Sequence, residues 1–131
     1  MQLLLDTHVF LWWLSDHPRL STHCRSVIAR PDSEVLISAA SIWEMAIKMR
    51  LGKLSIQEEL QGVLDALIDR AGFSELHVTA RHAAAVARLP VHHSDPFDRL
   101  LVAQALEEGC TLVTADRALV SYPAPLLLAD T

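Results

Sequence analysis

Four carboxylates fall where short apolar runs end or helical patterns begin: Asp6 after QLLL, Glu44 inside ASIWEMAIKMR, Asp98 inside HSDPFDRLL and Asp116 after TLVT. Two unit charges ~4 Å apart repel by about 4 kcal/mol at an effective dielectric near 20. Acids gathered in one crevice therefore raise one another's pKa unless a cation sits among them. Carboxylate and water oxygens suit a hard divalent ion, Mg2+ or Mn2+, and such an ion polarises a phosphodiester and activates water. The chemistry this set points to is metal-dependent hydrolysis of a phosphoryl or phosphodiester bond.

Each acid also has a purely structural reading. SIWE fits a capping box, with Ser41 accepting from the backbone and Glu44 reaching back. DPFD is equally good capping chemistry: Asp95 at N-cap, Pro96 at N1 and Asp98 near the positive end of the helix dipole. Asp116 fits a turn, and Asp6 fits the cap of a helix beginning at Thr7. Taken singly, the acids leave both readings open; their conjunction favours chemistry.

The elements that must position them are legible as alternating strands and helices. QLLL (2–5) and EVLIS (34–38) read as buried strands. THVFLWWLSD carries helical spacing at Phe10, Trp13 and Leu14. Ser21 opens a second helix to about Arg30, where Pro31 and Asp32 stop it. Residues 40–50 place Ile42, Met45, Ala46 and Met49 three and four apart, and Gly52 ends that helix. Residues 56–71 repeat the pattern, FSELHV is a third strand, and Thr79 caps ARHAAAVARL. PVHHSD is a polar loop, FDRLLVAQALEEG a helix, TLVTA (111–115) a strand and APLLLA a last one. Short apolar strands alternating with helices imply a parallel α/β sheet of four or five strands, flanked by helices on both faces. Ligands of such sheets bind outside the carboxyl ends of the strands, and that is where Asp6 and Asp116 fall, with Glu44 and Asp98 in the first turns of helices facing the same edge.

The chain's 131 residues suit a single domain, 1–131, with an aliphatic core, since 51% are hydrophobic and only 5% aromatic. VFLWWL is the longest apolar run, far short of the ~20 residues of a membrane helix. MQLLLD lacks the basic and long apolar regions of a signal peptide. Cys24 and Cys110 form no Cys-x-x-Cys pattern and suit two reduced thiols in the cytoplasm. The apolar surplus suggests surface covered by a partner. A net charge of −5 argues against non-specific coating of nucleic acid but permits a local basic rim. Lys48, Arg50 and Lys53 follow Glu44, while Arg99 and Arg117 adjoin site acids. Thr7 and Thr114 are hydroxyls able to orient carboxylates.

Four blocks, LLLDTHVFLWW, ISAASIWEMAIKMRLGKL, HHSDPFDRLLVAQALEEG and LVTAD, together resemble the PIN-domain ribonucleases, specifically the VapC-type toxins of toxin–antitoxin pairs. They stand in the family's order and cover most of the chain, with little signal in residues 55–75. The resemblance implies a PIN-like three-layer sandwich, Mg2+ or Mn2+, and endonucleolytic cleavage of RNA. Its acids match Asp6, Glu44, Asp98 and Asp116, with Asp6 and Asp98 as the expected direct metal ligands. Asp95 belongs to the lead-in and is expected mainly to cap. A cognate antitoxin and a homodimer are implied as partners, with the Trp12/Trp13 and Trp43/Ile47 neighbourhoods as docking surfaces.

Three other readings compete. His92 and His93 beside Asp95 suggest a zinc-dependent phosphoesterase, but no second histidine stands at helical spacing as in H-E-x-x-H. A receiver-like signalling domain would need paired acids after the first strand, where Asp6 stands alone before Thr7 and His8. A non-catalytic binding module would keep the acidic pocket only to receive a partner's side chain.

Overall fold

The computed structural model describes residues 1–56, 59–69, 72–91 and 95–130. Five parallel strands form one sheet: β1 (Gln2–Leu5), β2 (Glu34–Ser38), β3 (Ser74–Leu76), β4 (Thr111–Thr114) and β5 (Leu126–Leu128), in the order β3-β2-β1-β4-β5. Six α-helices flank it: α1 (Thr7–Ser15), α2 (Thr22–Ala29), α3 (Ala39–Arg50), α4 (Leu60–Asp69), α5 (Ala80–Ala85) and α6 (Pro96–Glu108). Short 3₁₀ turns follow at Val86–Arg88 and Arg117–Ser121. The expected three-layer parallel α/β sheet is therefore found. Its order also disposes of the receiver-like alternative, whose sheet runs 2-1-3-4-5.

Successive strand residues point to opposite faces, and the core divides accordingly. Leu3, Leu5, Val35, Ile37 and Val113 face a cluster with Val9, Phe10, Cys24, Ile28, Met45 and Val63. Leu4, Leu36 and Leu112 face the other, with Ala85, Leu101, Val102, Leu119 and Tyr122. Strands buried on both faces explain why QLLL and EVLIS are apolar runs and not alternating ones. Burial raises the Cys24 thiol to about 11, so it is an inert core residue.

Two local expectations change. The helix expected at 56–71 begins at Leu60, and residues 57, 58, 70 and 71 lie outside those described. The capping box at Ser41 and Glu44 is not formed. β2 runs straight into α3, and Ser38 is the N-cap, its Oγ accepting from the Ala40 N–H at 3.1 Å. Ser41 is then already inside the helix and buried, which leaves Glu44 for another partner. Asp6, Ser21, Thr79 and Asp95 do cap α1, α2, α5 and α6. Gly109, at φ 70°, ends α6 in the left-handed conformation that favours glycine. Among the described residues, no helix is long and apolar enough to cross a membrane.

Candidate active site

The strand order reverses between β1 and β4, and this is where a doubly wound sheet opens a crevice at its carboxyl edge. Asp6 follows β1 there and Asp116 follows β4 closely. Both line a cleft of about 360 Å³ with Asp95 and Asp98 from the start of α6, and with His8, Trp12, Arg19 and Ala115.

Asp6 is the buried member, 4% exposed. Its Oδ1 accepts from the Val9 N–H at 2.8 Å, and its Oδ2 accepts from the Thr114 hydroxyl at 2.5 Å. Burial raises its pKa; the bonds from Thr114 and Val9 and the nearby His8 lower it, and Glu44 adds a smaller upward push. Thr114 also accepts from the Asp116 N–H at 3.0 Å, so one hydroxyl ties two acids of the cleft together. Asp116 starts the second 3₁₀ turn, its Oδ1 accepting from the Ala118 N–H at 3.0 Å. Asp95 Oδ1 accepts from the Phe97 N–H at 2.9 Å, and Asp98 lies in the first turn of α6. Asp6, Asp95 and Asp98 thus sit at N-termini of α-helices, where the backbone dipole favours negative charge.

Thr114→Val is expected to destabilise the chain by about 1–3 kcal/mol, because it removes the hydroxyl that donates to the buried Asp6 carboxylate and accepts from the Asp116 N–H. Chemical denaturation checks this, and an unchanged midpoint would mean that the hydroxyl holds nothing.

Glu44 is buried beside this group and does not line the cleft. Its Oε1 accepts from the Thr7 hydroxyl at 2.6 Å, and its Oε2 pairs with Lys48 Nζ at 2.8 Å, one helical turn on. Thr7 therefore connects Glu44 to the segment that carries Asp6. Arg99 does not line the cleft either: its Nη2 donates to the carbonyls of Val86 and Leu89, 3.3 and 3.4 Å away, behind α5. Arg50 and Lys53 are exposed at and beyond the end of α3. Arg117 Nη2 lies 3.4 Å from Asp130 Oδ1. His92 and His93, on which the zinc alternative rested, lie outside the described residues.

The sequence analysis gave no place at the cleft to His8, Trp12 or Arg19, and named Trp12 only within a docking surface. The first two share one face of α1 at a spacing of four, a signal that was present once Asp6 had been placed at the head of that helix. Arg19 carries no such mark.

An oxygen-only donor set of aspartates fits a hard divalent cation. Each Asp6 oxygen gives one lone pair to its hydrogen bond, and a carboxylate offers about four acceptor sites in all. Among the described residues, no three His, Cys, Asp or Glu side chains close around a single point.

A match to the PIN domain family spans residues 3–124. The chain is 35% identical to Ribonuclease VapC22 of Mycobacterium tuberculosis over 128 residues, covering 94% of this chain and 93% of that one. It belongs to the VapC-type PIN-domain ribonuclease family. Among solved structures, VapBC2 of Rickettsia felis, bound to a DNA fragment from its promoter, aligns with a TM-score of 0.74 at 20% identity, covering 99% of this chain and 100% of that one. VapBC-5 of Mycobacterium tuberculosis, from the VapBC family of toxin–antitoxin systems, aligns at 0.61 and 19%, covering 99% and 98%. At these identities the two structures speak for the PIN fold, which the β3-β2-β1-β4-β5 sheet independently displays.

Proposed function

We propose that this chain is an endoribonuclease, the toxin of a toxin–antitoxin pair, and that its acidic cleft hydrolyses RNA phosphodiesters with Mg2+ or Mn2+. The observation that carries the proposal is the buried Asp6 carboxylate, opening with Asp98 and Asp116 onto one cleft at the switch point of the sheet. Asp6, Asp98 and Asp116 would hold the ion. Once bound, it would supply the Lewis acidity that polarises the phosphodiester and acidifies water.

The chain's own residues do the positioning. Thr114 and the Val9 N–H orient Asp6, and Thr114 sets Asp116 against it. Thr7 and Lys48 hold Glu44 at the side of the cleft, where its charge adds to the pull on a cation. Asp95 caps α6 and so aims Asp98. Water is the nucleophile, and the mechanism uses no protein nucleophile.

An antitoxin partner fits the toxin–antitoxin complexes among the structural neighbours. It also fits a groove of about 380 Å³ between α1 and α4, lined by Leu11, Leu14, Ile56, Val63 and Ala66 with two serines, which suits an apolar segment. The apolar Trp43 and Leu51, 63% and 62% exposed, support homodimerisation, and light scattering at the 14.5 kDa monomer mass would remove that claim. Two free, buried cysteines suit the reducing cytoplasm.

The test is cleavage of a mixed RNA pool by the purified chain in Mg2+ or Mn2+ against EDTA. Cutting that needs the metal, and that stops when stoichiometric antitoxin is added, is the expected result. Cutting that ignores EDTA would sink the metal role, and an intact RNA pool under every condition would sink the ribonuclease reading.

A further inference from the structure

The four aspartates of the cleft repel an RNA backbone, and the chain as a whole carries −5. A phosphodiester strand needs cationic help to enter. Among the described residues lining the cleft, Arg19 is the one arginine or lysine. It also has defined neighbours. Its guanidinium lies over the Trp12 ring, 4.9 Å from the centroid. Its backbone N–H donates to His17 Nδ1 at 3.1 Å, and the His17 N–H donates in turn to the Trp12 carbonyl at 2.9 Å. The next residue, Leu20, forms an isolated antiparallel bridge with Asp130, whose carboxylate lies 4.0 Å from the Arg19 guanidinium.

The Arg19 side chain is nonetheless 63% exposed. A guanidinium held over an indole ring by cation–π attraction still has its five N–H donors to offer a bidentate oxyanion. The Asp130 contact, at the limit of an ion pair, consumes little of that capacity. A purely structural arginine would be spent on carbonyls, as Arg99 is. An exposed fork over an aromatic ring at the lip of an acidic cleft is instead suited to gripping a phosphate next to the one that meets the aspartates.

We propose that Arg19, stacked on Trp12 and steadied by Asp130, is the phosphate-positioning residue of the cleft and grips an RNA phosphodiester adjacent to the scissile one. The inference rests on the ribonuclease reading. It assigns Arg19 to substrate capture and not to the bond-breaking step.

The test is steady-state cleavage of a single-stranded RNA in Mg2+ over a series of salt concentrations, for wild type, Arg19→Ala and Arg19→Lys. Arg19→Ala is expected to raise KM about tenfold, the scale of one lost charge-assisted contact, with kcat within about twofold. Its plot of log KM against log salt should flatten by about 0.7, the release expected for one single-strand phosphate contact. Arg19→Lys should restore the slope but only part of the KM, because an ammonium cannot make the fork. Unchanged KM and slope in Arg19→Ala, with wild type cutting normally, would overturn this inference and leave the ribonuclease reading intact. A loss in kcat alone would overturn it as well, by moving Arg19 into the chemical step. Wild type that neither cuts nor binds RNA would overturn both readings together.

Discussion

Asp98→Asn is expected to lower kcat for RNA cleavage by about a hundred- to a thousandfold, the scale of losing one preorganised charge from a polar transition state, while the fold survives. The geometry separates the two roles this residue could have. The cap of α6 is Asp95, whose Oδ1 accepts from the Phe97 N–H. Asp98 sits in the first turn, where its charge also meets the helix dipole, an effect worth about 0.3–1 kcal/mol. An isosteric amide keeps the packing and removes the charge that faces the cleft. Matched thermal melts and RNA cleavage assays on wild type and Asp98→Asn read both quantities at once. A mutant that melts early but still cuts would make Asp98 a helix-start residue and nothing more. Asp95→Asn is the natural companion, since asparagine caps as well as aspartate; near-normal cutting by that variant would confine Asp95 to capping.

The second large effect concerns stability. Burial holds the Asp6 pKa above its ordinary 3.8, and a carboxyl raised in the folded state binds more protons folded than unfolded. Its contribution to stability is therefore fully present below pH 3.8 and is lost as pH rises through the raised value. Above that value the metal-free chain bears the cost of an ionised, buried carboxylate, with Glu44 adding to it and the Thr114 and Val9 bonds and His8 offsetting part. A divalent ion is expected to reverse that cost. At about a hundred times its Kd, a ligand of the folded state adds about 2.7 kcal/mol, which for a chain of this size raises Tm by on the order of 10 °C. Near pH 4, protons compete with the metal and the rise should shrink. Thermal unfolding in EDTA and in Mn2+, at pH 4 and pH 7.5, measures it. Asp6→Asn, which can still cap α1 by accepting from Val9, should lose most of the metal-induced rise. Equal shifts at both pH values, or in both proteins, would remove Asp6 from the metal site.

The local signals in the chain carried far where they depended on neighbours in sequence. β1 and β2 coincide with QLLL and EVLIS because a strand buried on both faces is an apolar run with polar ends. Asp95 and Pro96 start α6 as capping chemistry dictates. The Ser41 box misled because its spacing is satisfied by any S-x-x-E, and nothing local reveals that β2 enters α3 without a loop and hands the cap to Ser38. Among the candidate cations, adjacency to an acid picked out Arg99, which the packing of α6 on α5 turns to the Val86 and Leu89 carbonyls.

By itself, then, the sequence determined the alternating parallel architecture, its family, and the placing of Asp6, Asp98 and Asp116 at one edge, because hydrophobic period, caps and strand ends are short-range properties of the chain. Only the tertiary structure decided what those acids touch. The bond from Thr114 to Asp6 joins residues 108 apart and exists because β1 and β4 are neighbours in the sheet. Thr7 meets Glu44 because α1 packs against α3. Arg19 faces the cleft because Trp12 and the Asp130 tail hold a long, mobile side chain in one direction. Such directions are set by packing between distant segments, and spacing along the chain does not encode them.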